Sequence, residues 1–494
     1  MNWRRWFGDL PLRERSLALL ISFASLFGVV LLPLLGAKYA LLGVSIGYVC
    51  LIISRPWKQP SVWGSAGVMI SLIVVVAIKT PPLRYIDVPD SGQIVSYNEG
   101  AMAAVSVVQD ADEVLRLRIN NRAQEGSSAT QMVDGRQAWL PLLLHPQPQR
   151  ALFLGVGTGV TSLSATVDAN LQVDAVELLP EIIDATSWFA SSVTTDAHRE
   201  HLRLIHADAR RFVRTTHEKY DLIVADNFHP ARSGSGTLYT VEHFKAIDNC
   251  LTEDGVFVQW LPLHQLDLDT LRSIMATYLQ VFPHGWAMLA SNSLDTPVVG
   301  LVGGKENTPF KLDELSSRQL RATTVSRFSD TNNTLELMGN FFAGPTSLHE
   351  FSSSALINTD DHPVVVYLAP RITYAPDSQP RDRLIELLQA TSIHANELLD
   401  ETGAAVLTNR LSAYWRARNE YLRVGRDVQL SNNANEMLRQ LHDPLLSVLH
   451  ISSEFRPALR PLLHLTEALR QTDSAAADAL ASELHLIEAT NRRP

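Results

Sequence analysis

The chain has 494 residues, 46% of them hydrophobic, which is enough for two to four domains with buried cores. It carries 42 Lys and Arg against 52 Asp and Glu, a formal charge of −10, which excludes the basic surface of a general nucleic-acid-binding protein. Its two cysteines, Cys50 and Cys250, are far apart in the sequence. This spacing excludes a disulfide framework and a CxxC metal site.

Three runs without a charged residue follow the N-terminus, at residues 16–35, 39–54 and 61–78. A helix crosses a bilayer with roughly 20 apolar residues, and about 17 is the short limit. We therefore predict a membrane anchor of about three transmembrane helices over residues 1–80, in a multi-pass protein of the inner cell membrane. The alternative is a secretory signal followed by buried helices, but three runs so close together favour the anchor.

The next part of the chain changes from short strands to strand–helix alternation. Residues 85–135 alternate polar and apolar positions, which predicts a small β-strand domain. From Arg150 onward, buried strand-like runs recur with helical segments between them. This pattern predicts an α/β domain over residues 136–371, with a parallel sheet and helices on both faces.

A glycine loop and three acids stand at the ends of the predicted strands. The run 150–154 leads into Gly155, Gly157 and Gly159, and Glu177 ends the next strand. This is the context of a nucleotide-binding loop, in which glycines let the backbone approach the ligand and an acid binds ribose hydroxyls. Asp208 and Asp226 end two further strands at the same edge. The alternative is a tight turn with a solvated Glu177 and two ordinary capping aspartates.

The segment from about residue 93 to 371 resembles the spermidine synthase (polyamine aminopropyltransferase) family, as a divergent, membrane-anchored member. The similarity rests on several stretches in the family's order: LRLRINNRAQ (115–124), the glycine loop, HADARRFV (206–213), KYDLIVAD (219–226) and NTDDHP (358–363). The resemblance implies a small N-terminal β domain before a Rossmann-like class I methyltransferase fold. It also implies transfer of an aminopropyl group from decarboxylated S-adenosylmethionine to a small-molecule amine acceptor.

The resemblance assigns roles to individual residues. Asp226 would orient or deprotonate the acceptor. The donor would be bound by the glycine loop and by residues on either side of it: Gln124, Gly155, Gly157, Thr158, Gly159, Glu177, Asp208 and Ala209.

The acceptor side departs from the family pattern. His229 occupies the position of the second acid of the family's DxxD pair, and Thr158 replaces an aspartate of the glycine loop. The family's Tyr-His-Glu falls on residues 133–135, which leaves Asp134 as a displaced carboxylate. Fewer acids weaken the attraction for a polyamine, and Thr158 does not repel the carboxylate of intact S-adenosylmethionine. His229 is either a base active near neutral pH or a histidine of the loop surface.

Three functions remain open: aminopropyl transfer, methyl transfer from S-adenosylmethionine to an unknown acceptor, and a non-catalytic scaffold with a vestigial nucleoside pocket. No metal is predicted, because the histidines are scattered and no HExxH motif occurs. The cytosolic origin of the donor favours a cytoplasmic catalytic domain, whereas the distribution of Lys and Arg around the apolar runs favours the other side.

Residues 382–494 predict a helical domain whose spacing of small residues faintly resembles tetratricopeptide repeats. It is either a cap over the catalytic domain or a platform for a protein partner. The expected partners are therefore the amine, the lipid bilayer and, through this domain, another protein. A homodimer stays open and no nucleic acid is expected.

Overall fold

The computed structural model describes residues 27–53 and 60–491, apart from residues 82, 85, 123–125, 191–192, 194–198, 233, 306–308, 326–332 and 377. The chain divides into two compact units. The first consists of Met1–Ser128 with Leu179–Trp188, and the second of Ala129–Leu178 with Phe189–Pro494. The four-part division expected from composition stays a prediction.

The first unit combines helices with a small antiparallel sheet. A π-helical turn, Phe27–Leu31, precedes α1 (Leu32–Ile53) and α2 (Pro60–Lys79). The sheet has the order β1-β2-β3, with β1 at Gln93–Glu99, β2 at Ala104–Gln109 and β3 at Leu115–Ile119. The short helix Pro180–Ala185 packs against β1 and β2.

The prediction of three transmembrane helices is wrong for the part of the chain that the structure describes, where no helix has both the length and the apolarity for a bilayer crossing. Much of the first apolar run precedes residue 27 and lies outside the described residues. In α1 the helix is interrupted at Gly36, whose φ of 71° and ψ of 164° are not helical. The predicted fold class is therefore wrong in its membrane-spanning part, and the inner-membrane localisation is wrong with it.

The second unit contains the other strands and the helices between them. The strands are β4 (Arg150–Leu154), β5 (Gln172–Glu177), β6 (Leu202–His206), β7 (Tyr220–Ala225), β8 (Leu251–Pro262), β9 (Trp286–Leu289), β10 (Val298–Gly304) and β11 (Phe341–Ala343). The labelled helices up to residue 374 are α3 (Gln131–Leu144), α4 (Val160–Ala165), α5 (Ala209–Thr215), α6 (Val241–Cys250), α7 (Leu268–Leu279), α8 (Leu312–Val325), α9 (Thr334–Met338), α10 (Pro345–Ser352) and α11 (Val364–Tyr374).

These strands form one eight-stranded sheet in the order β11-β9-β10-β8-β7-β4-β5-β6. The pairs β8–β7, β7–β4, β4–β5 and β5–β6 are parallel, whereas β10 is antiparallel to both β8 and β9. The chain runs from β4 outward in one direction through β5 and β6, and then returns to start the other half at β7. Open α/β sheets bind ligands at the carboxyl ends of the strands beside such a reversal, which here lies between β4 and β7.

Aromatic side chains fill the core on the β8 side of the sheet. Phe257 of β8 stacks on Tyr278 with ring centroids 5.7 Å apart, and Phe244 meets Tyr278 edge to face at 5.3 Å. Phe282 lies 4.9 Å from the Tyr278 ring. All four rings are essentially inaccessible to solvent. Rings in this arrangement add to the free energy gained from apolar burial, and they fix α6 and α7 against the sheet.

The C-terminal region is helical. Its elements are α12 (Pro380–Ala390), α13 (Ala395–Leu398), α14 (Glu401–Asp427), α15 (Ala434–Ile451), α16 (Leu459–Thr472) and α17 (Ser474–Asn491). From α14 to α17, each helix packs on the next. From α14, Trp415 Nε1 donates to the Met338 carbonyl at 3.3 Å, and Arg418 Nη1 donates to the carbonyl of Phe341 at 2.6 Å. The described chain is therefore a mixed α/β protein with a Rossmann-like sheet and a helical C-terminal region.

Candidate active site

The glycine loop joins the central strand β4 to α4 and needs glycine at three positions. Gly155, Gly157 and Gly159 have φ values of 87°, 53° and 79°, a region that other residues rarely occupy. A Cβ atom on Gly155 would lie 3.0 Å from Phe228 Cε1 and 3.2 Å from Asp226 Cβ. The loop backbone therefore lies directly against the residues that follow β7. Thr158 is buried in this loop, and its Oγ1 is 3.4 Å from the Val160 nitrogen.

Glu177 connects the glycine loop to the end of β5. Because Leu154 and Val176 are paired in the parallel ladder, the next residue of β5 lies beside the loop. The buried Glu177 carboxylate accepts the Val156 N–H through Oε2 at 3.1 Å. The structure thus brings this acid against the loop, and its contact with a ribose stays a prediction.

Asp208 follows β6 at the same edge of the sheet. Ala207 donates its N–H to the Glu177 carbonyl at 2.9 Å, which fixes the exit from β6 beside β5. The exposed Asp208 side chain caps α5 by accepting the Arg211 N–H through Oδ1 at 2.7 Å. Ala209 is the first residue of that helix. Capping accounts for one carboxylate oxygen of Asp208, and contact of Asp208 or Ala209 with adenine stays a prediction.

Asp226 stands at the carboxyl end of β7, beside the glycine loop. Its N–H donates to the Leu154 carbonyl at 2.9 Å, and its Oδ1 accepts the Asn227 N–H at 2.7 Å. A hydrogen bond donated to a carboxylate favours the ionised form. Gln124, the other residue expected near the donor, lies outside the described residues.

Gln137 ties α3 to this edge and was not anticipated from the sequence. Its Oε1 accepts from Asn227 Nδ2 at 2.8 Å, and its backbone carbonyl accepts from Trp260 Nε1 at 2.9 Å. The side chain is almost fully buried. The available signal was a polar residue directly before the apolar segment AWLPLLL (138–144).

Asp134 lies three residues before Gln137, in the first turn of α3. Thr130 Oγ1 donates to its Oδ2 at 2.9 Å. Burial raises the pKa of Asp134 to about 7, the Thr130 hydrogen bond opposes this shift, and the nearby Asp226 carboxylate adds to it. Two of the predicted acceptor-side acids are therefore close enough to interact electrostatically.

The family follows from comparison with known proteins. Residues 137–292 match the family model for the spermine/spermidine synthase domain. This segment belongs to that family. The synthase domain thus includes the glycine loop, Glu177, Asp208 and Asp226, while Asp134 lies just before it.

Relatives that carry the corresponding enzyme name agree with this assignment. The polyamine aminopropyltransferase of Methanocaldococcus jannaschii is 27% identical over 222 residues, which are 44% of this chain and 74% of that protein. Polyamine aminopropyltransferase 2 of Hyperthermus butylicus is 32% identical over 124 residues, 24% of this chain and 39% of that protein. The crystal structure of spermidine synthase from Thermotoga maritima is 17% identical in sequence, with a TM-score of 0.43. The superposed region covers 53% of this chain and 88% of the chain in that structure. The names of the relatives confirm the predicted family and transferase type, but not a membrane-anchored form.

His229 of the synthase domain is buried, and it does not lie on the loop surface. Burial lowers the pKa of the neighbouring His264 to about 4; a hydrogen bond involving Pro297 opposes the shift, and the charges of Arg383 and His229 add to it. Tyr239 donates its hydroxyl to the Phe228 carbonyl at 2.8 Å, which holds the segment next to His229. A base role for His229 stays a prediction.

The NTDDHP motif fixes the loop after β7. Asn358 is fully buried, and its Nδ2 donates to the carbonyls of Gly236 at 3.1 Å and Tyr239 at 2.9 Å. Its Oδ1 accepts the Val365 N–H at 3.2 Å. The first residue of the motif therefore has a structural role, because it binds three backbone groups, two of them in the segment after β7.

The same motif reaches α5 and α6. Asp360 pairs with Arg210 Nη2, at 2.6 Å to Oδ1. Beside this pair, His243 is fully buried, and neither of its ring nitrogens has a hydrogen-bond partner among the described residues. Burial lowers the pKa of His243 to about 3, Arg210 adds to the shift and Asp360 opposes it. His243 is therefore a neutral packing residue.

One group in the described part of the chain has the spacing of a metal site, with ligand atoms of His145, Asp221 and Asp254 within 4.8 Å of one another. The group lies near the amino ends of β4 and β7, at the edge opposite the glycine loop. Because His145 Nδ1 accepts the Gln147 N–H at 3.2 Å, the neutral ring carries its proton on Nε2 and presents a donor there. Oδ2 of Asp221 already accepts two backbone N–H groups. This donor set does not favour an ion.

Proposed function

We propose that the chain transfers an aminopropyl group from decarboxylated S-adenosylmethionine to a small-molecule amine. The observation that supports this most is the position of Asp226 beside the glycine loop, within a spermine/spermidine synthase domain. Both reactants are cations, and a carboxylate at this edge stabilises a cation. The relatives named above carry the corresponding enzyme name.

The donor half of the site would use the loop backbone and the acids around it. Glu177 would bind the ribose hydroxyls and Asp208 the adenine, with Gly155, Gly157 and Gly159 allowing close approach. The reaction is a displacement at the carbon next to the sulfonium. Its leaving group departs as a neutral thioether and needs no acid. The protein must align the two reactants and accept a proton from the amine.

Methyl transfer from intact S-adenosylmethionine is the second candidate, and it rests on Thr158. This residue is neutral and buried in the glycine loop, so the loop does not repel a donor carboxylate. Two acids that are near each other, Asp134 and Asp226, would attract a cationic acceptor, and this favours the first candidate. A scaffold with a vestigial pocket would require neither donor to bind. A protein partner of the helical region and a homodimer remain proposals.

The test uses the purified full-length chain and calorimetry with three ligands: S-adenosylmethionine, its decarboxylated form and methylthioadenosine. Mass spectrometry of reactions with a panel of diamines and longer polyamines then identifies the product. We expect preference for the decarboxylated donor and a mass increase of one aminopropyl group on the acceptor. Binding and turnover of intact S-adenosylmethionine would favour methyl transfer, and the absence of all binding would favour the scaffold.

Substitution of Asp226 separates an enzyme from a scaffold. D226N keeps the size of the side chain and removes its charge, so transfer should fall by orders of magnitude while the chain remains folded. The matched control is D478N, which removes an exposed carboxylate from α17. Equal activity of the two variants would contradict the proposed role of Asp226.

A further inference from the structure

The N-terminal half of α3 is held against the carboxyl end of β7. Gln137 provides the connection, because its side chain accepts from Asn227 and its carbonyl accepts from Trp260. Residues three apart on a helix lie on the same face. Asp134 therefore points from the same side of α3 toward the region of Asp226, although 91 residues separate the two in the chain.

The environment of Asp134 differs from that of Asp226. Asp134 is partly buried, and one of its oxygens, Oδ2, accepts from the Thr130 hydroxyl. The charged group that faces it is the Asp226 carboxylate. Burial raises the pKa of Tyr239, and the charge of the nearby Asp226 adds to the shift. The Tyr239 hydroxyl therefore stays protonated. No cation among the described residues contributes to the shift at Asp134.

Two carboxylates in one site whose environments differ in this way can divide the work of acid–base chemistry. We propose that Asp134 accepts the proton of the attacking amine, while Asp226 stays ionised and holds that amine in line with the donor. This inference rests on the proposed aminopropyl transfer. It assigns the proton acceptor to a residue outside the matched synthase domain, which begins at residue 137.

The acceptor arrives as an ammonium ion, and one N–H proton passes to the Asp134 carboxylate, which leaves a neutral amine with a free electron pair. That pair forms the new N–C bond at the carbon next to the sulfonium, and the electrons of the breaking C–S bond go to sulfur. The products are a secondary ammonium ion and a neutral thioether, and Asp134 releases its proton to solvent.

Asp134 suits the role of base better than Asp226 does. Asp226 accepts the Asn227 N–H through Oδ1 at 2.7 Å, so this oxygen is already engaged in a hydrogen bond. A base is most effective when its pKa is near the working pH, and burial with the nearby Asp226 charge raises the pKa of Asp134 to about 7. The acceptor's positive charge would itself favour ionised Asp134 on binding.

The test is the pH dependence of kcat/KM for the amine, measured with wild type, D134N, D226N and the control D478N. We expect the wild type and D478N to lose activity below about pH 7, where Asp134 becomes protonated. D134N should lower kcat by about 10²- to 10⁴-fold and abolish this acidic limb. D226N should move the limb to lower pH, because it removes the neighbouring negative charge, and should raise KM for the amine.

The outcomes separate this inference from the proposed function. If wild type transfers aminopropyl groups but D134N keeps its rate and its acidic limb, Asp134 is not the base. Donor affinity of D134N, measured by calorimetry, shows whether the variant is folded. If D134N does not fold, an acidic limb that stays in place in D226N overturns the inference instead. A wild-type chain that uses no amine and no donor overturns the proposed function, and this inference with it.

Discussion

Replacement of Gly155 by alanine tests whether the glycine loop serves mainly to let Asp226 approach. Gly155 has a φ of 87° and Gly234 a φ of 88°, so alanine meets nearly the same backbone strain at both positions. Their surroundings differ. A Cβ on Gly155 would lie 3.0 Å from Phe228 Cε1, whereas a Cβ on Gly234 would have no atom within 4 Å. G234A is therefore a matched control for strain without contact.

The magnitudes follow from these distances. The left-handed conformation costs alanine about 1–2 kcal/mol in either variant. In G155A the contacts at 3.0 and 3.2 Å require Phe228 and Asp226 to shift by a few tenths of an ångström, and overpacking of this kind costs about 1–3 kcal/mol more. Displacement of Asp226 should also lower kcat/KM by roughly 10- to 100-fold, because in-line transfer is sensitive to small misplacements.

The assay compares wild type, G155A and G234A by urea denaturation and by steady-state transfer to an amine. We expect both variants to lose stability, G155A more than G234A, and only G155A to lose activity. Equal losses of activity would mean that backbone strain alone limits the reaction. Full activity in G155A would refute the close approach of the loop to Asp226 as a requirement for catalysis.

Three further predictions concern two buried polar groups and one partly buried carboxylate. N358A removes three hydrogen bonds to backbone groups, and it should lower the free energy of unfolding by about 2–4 kcal/mol in urea denaturation; a loss below 1 kcal/mol would contradict the role of the motif. His243 has a folded pKa of about 3, below its unfolded value of 6.5. The contribution of the neutral ring to the free energy of unfolding is therefore complete above pH 6.5, and it is lost as the pH falls toward 3. At pH 5 this loss is about 2 kcal/mol in wild type, and H243L should abolish it in denaturation curves recorded at pH 5 and 8. Asp134 has a folded pKa of about 7, above its unfolded value of 3.8. Its ionisation therefore lowers the free energy of unfolding: this loss is absent below pH 3.8 and complete above pH 7. D134N should therefore be more stable than wild type by about 1–3 kcal/mol at pH 8 and equal to it at pH 4, and a less stable D134N at pH 8 would contradict the burial of that charge.

Local sequence patterns predicted the sheet and the position of its glycine loop. A buried strand, a glycine loop and an acid at the end of the next strand are short-range features, and Glu177 does lie against the loop at 3.1 Å from the Val156 nitrogen. Asp208 also caps a helix, as the alternative interpretation of this residue predicted, because its Oδ1 accepts the Arg211 N–H. Such features are readable because each depends on neighbours a few residues away in the chain.

Contacts between distant segments could not be read in the same way. The proximity of Asp134 to Asp226 depends on how α3 packs, and that packing depends on the Gln137 bonds to Asn227 and Trp260. In the N-terminal part, the uncharged runs did not give the bounds of the helices. Residues 32–53 form α1, which joins the end of the first run to the second and is interrupted at Gly36, between the two. Hydropathy reports composition, but it does not report where a helix begins and ends.

The hydrogen bonds from α14 to the segment around β11 affect the tendency of the protein to aggregate through the edge of its sheet. β11 is the last strand on its side of the sheet, so it has a neighbouring strand on one side only. Carbonyl groups left open on such a strand are a template for pairing with another chain and for aggregation. Arg418 occupies the carbonyls of Gly339 and Phe341, and Trp415 that of Met338. The helical region thus shields an exposed β edge, and a chain shortened to residue 371 would lose that shield.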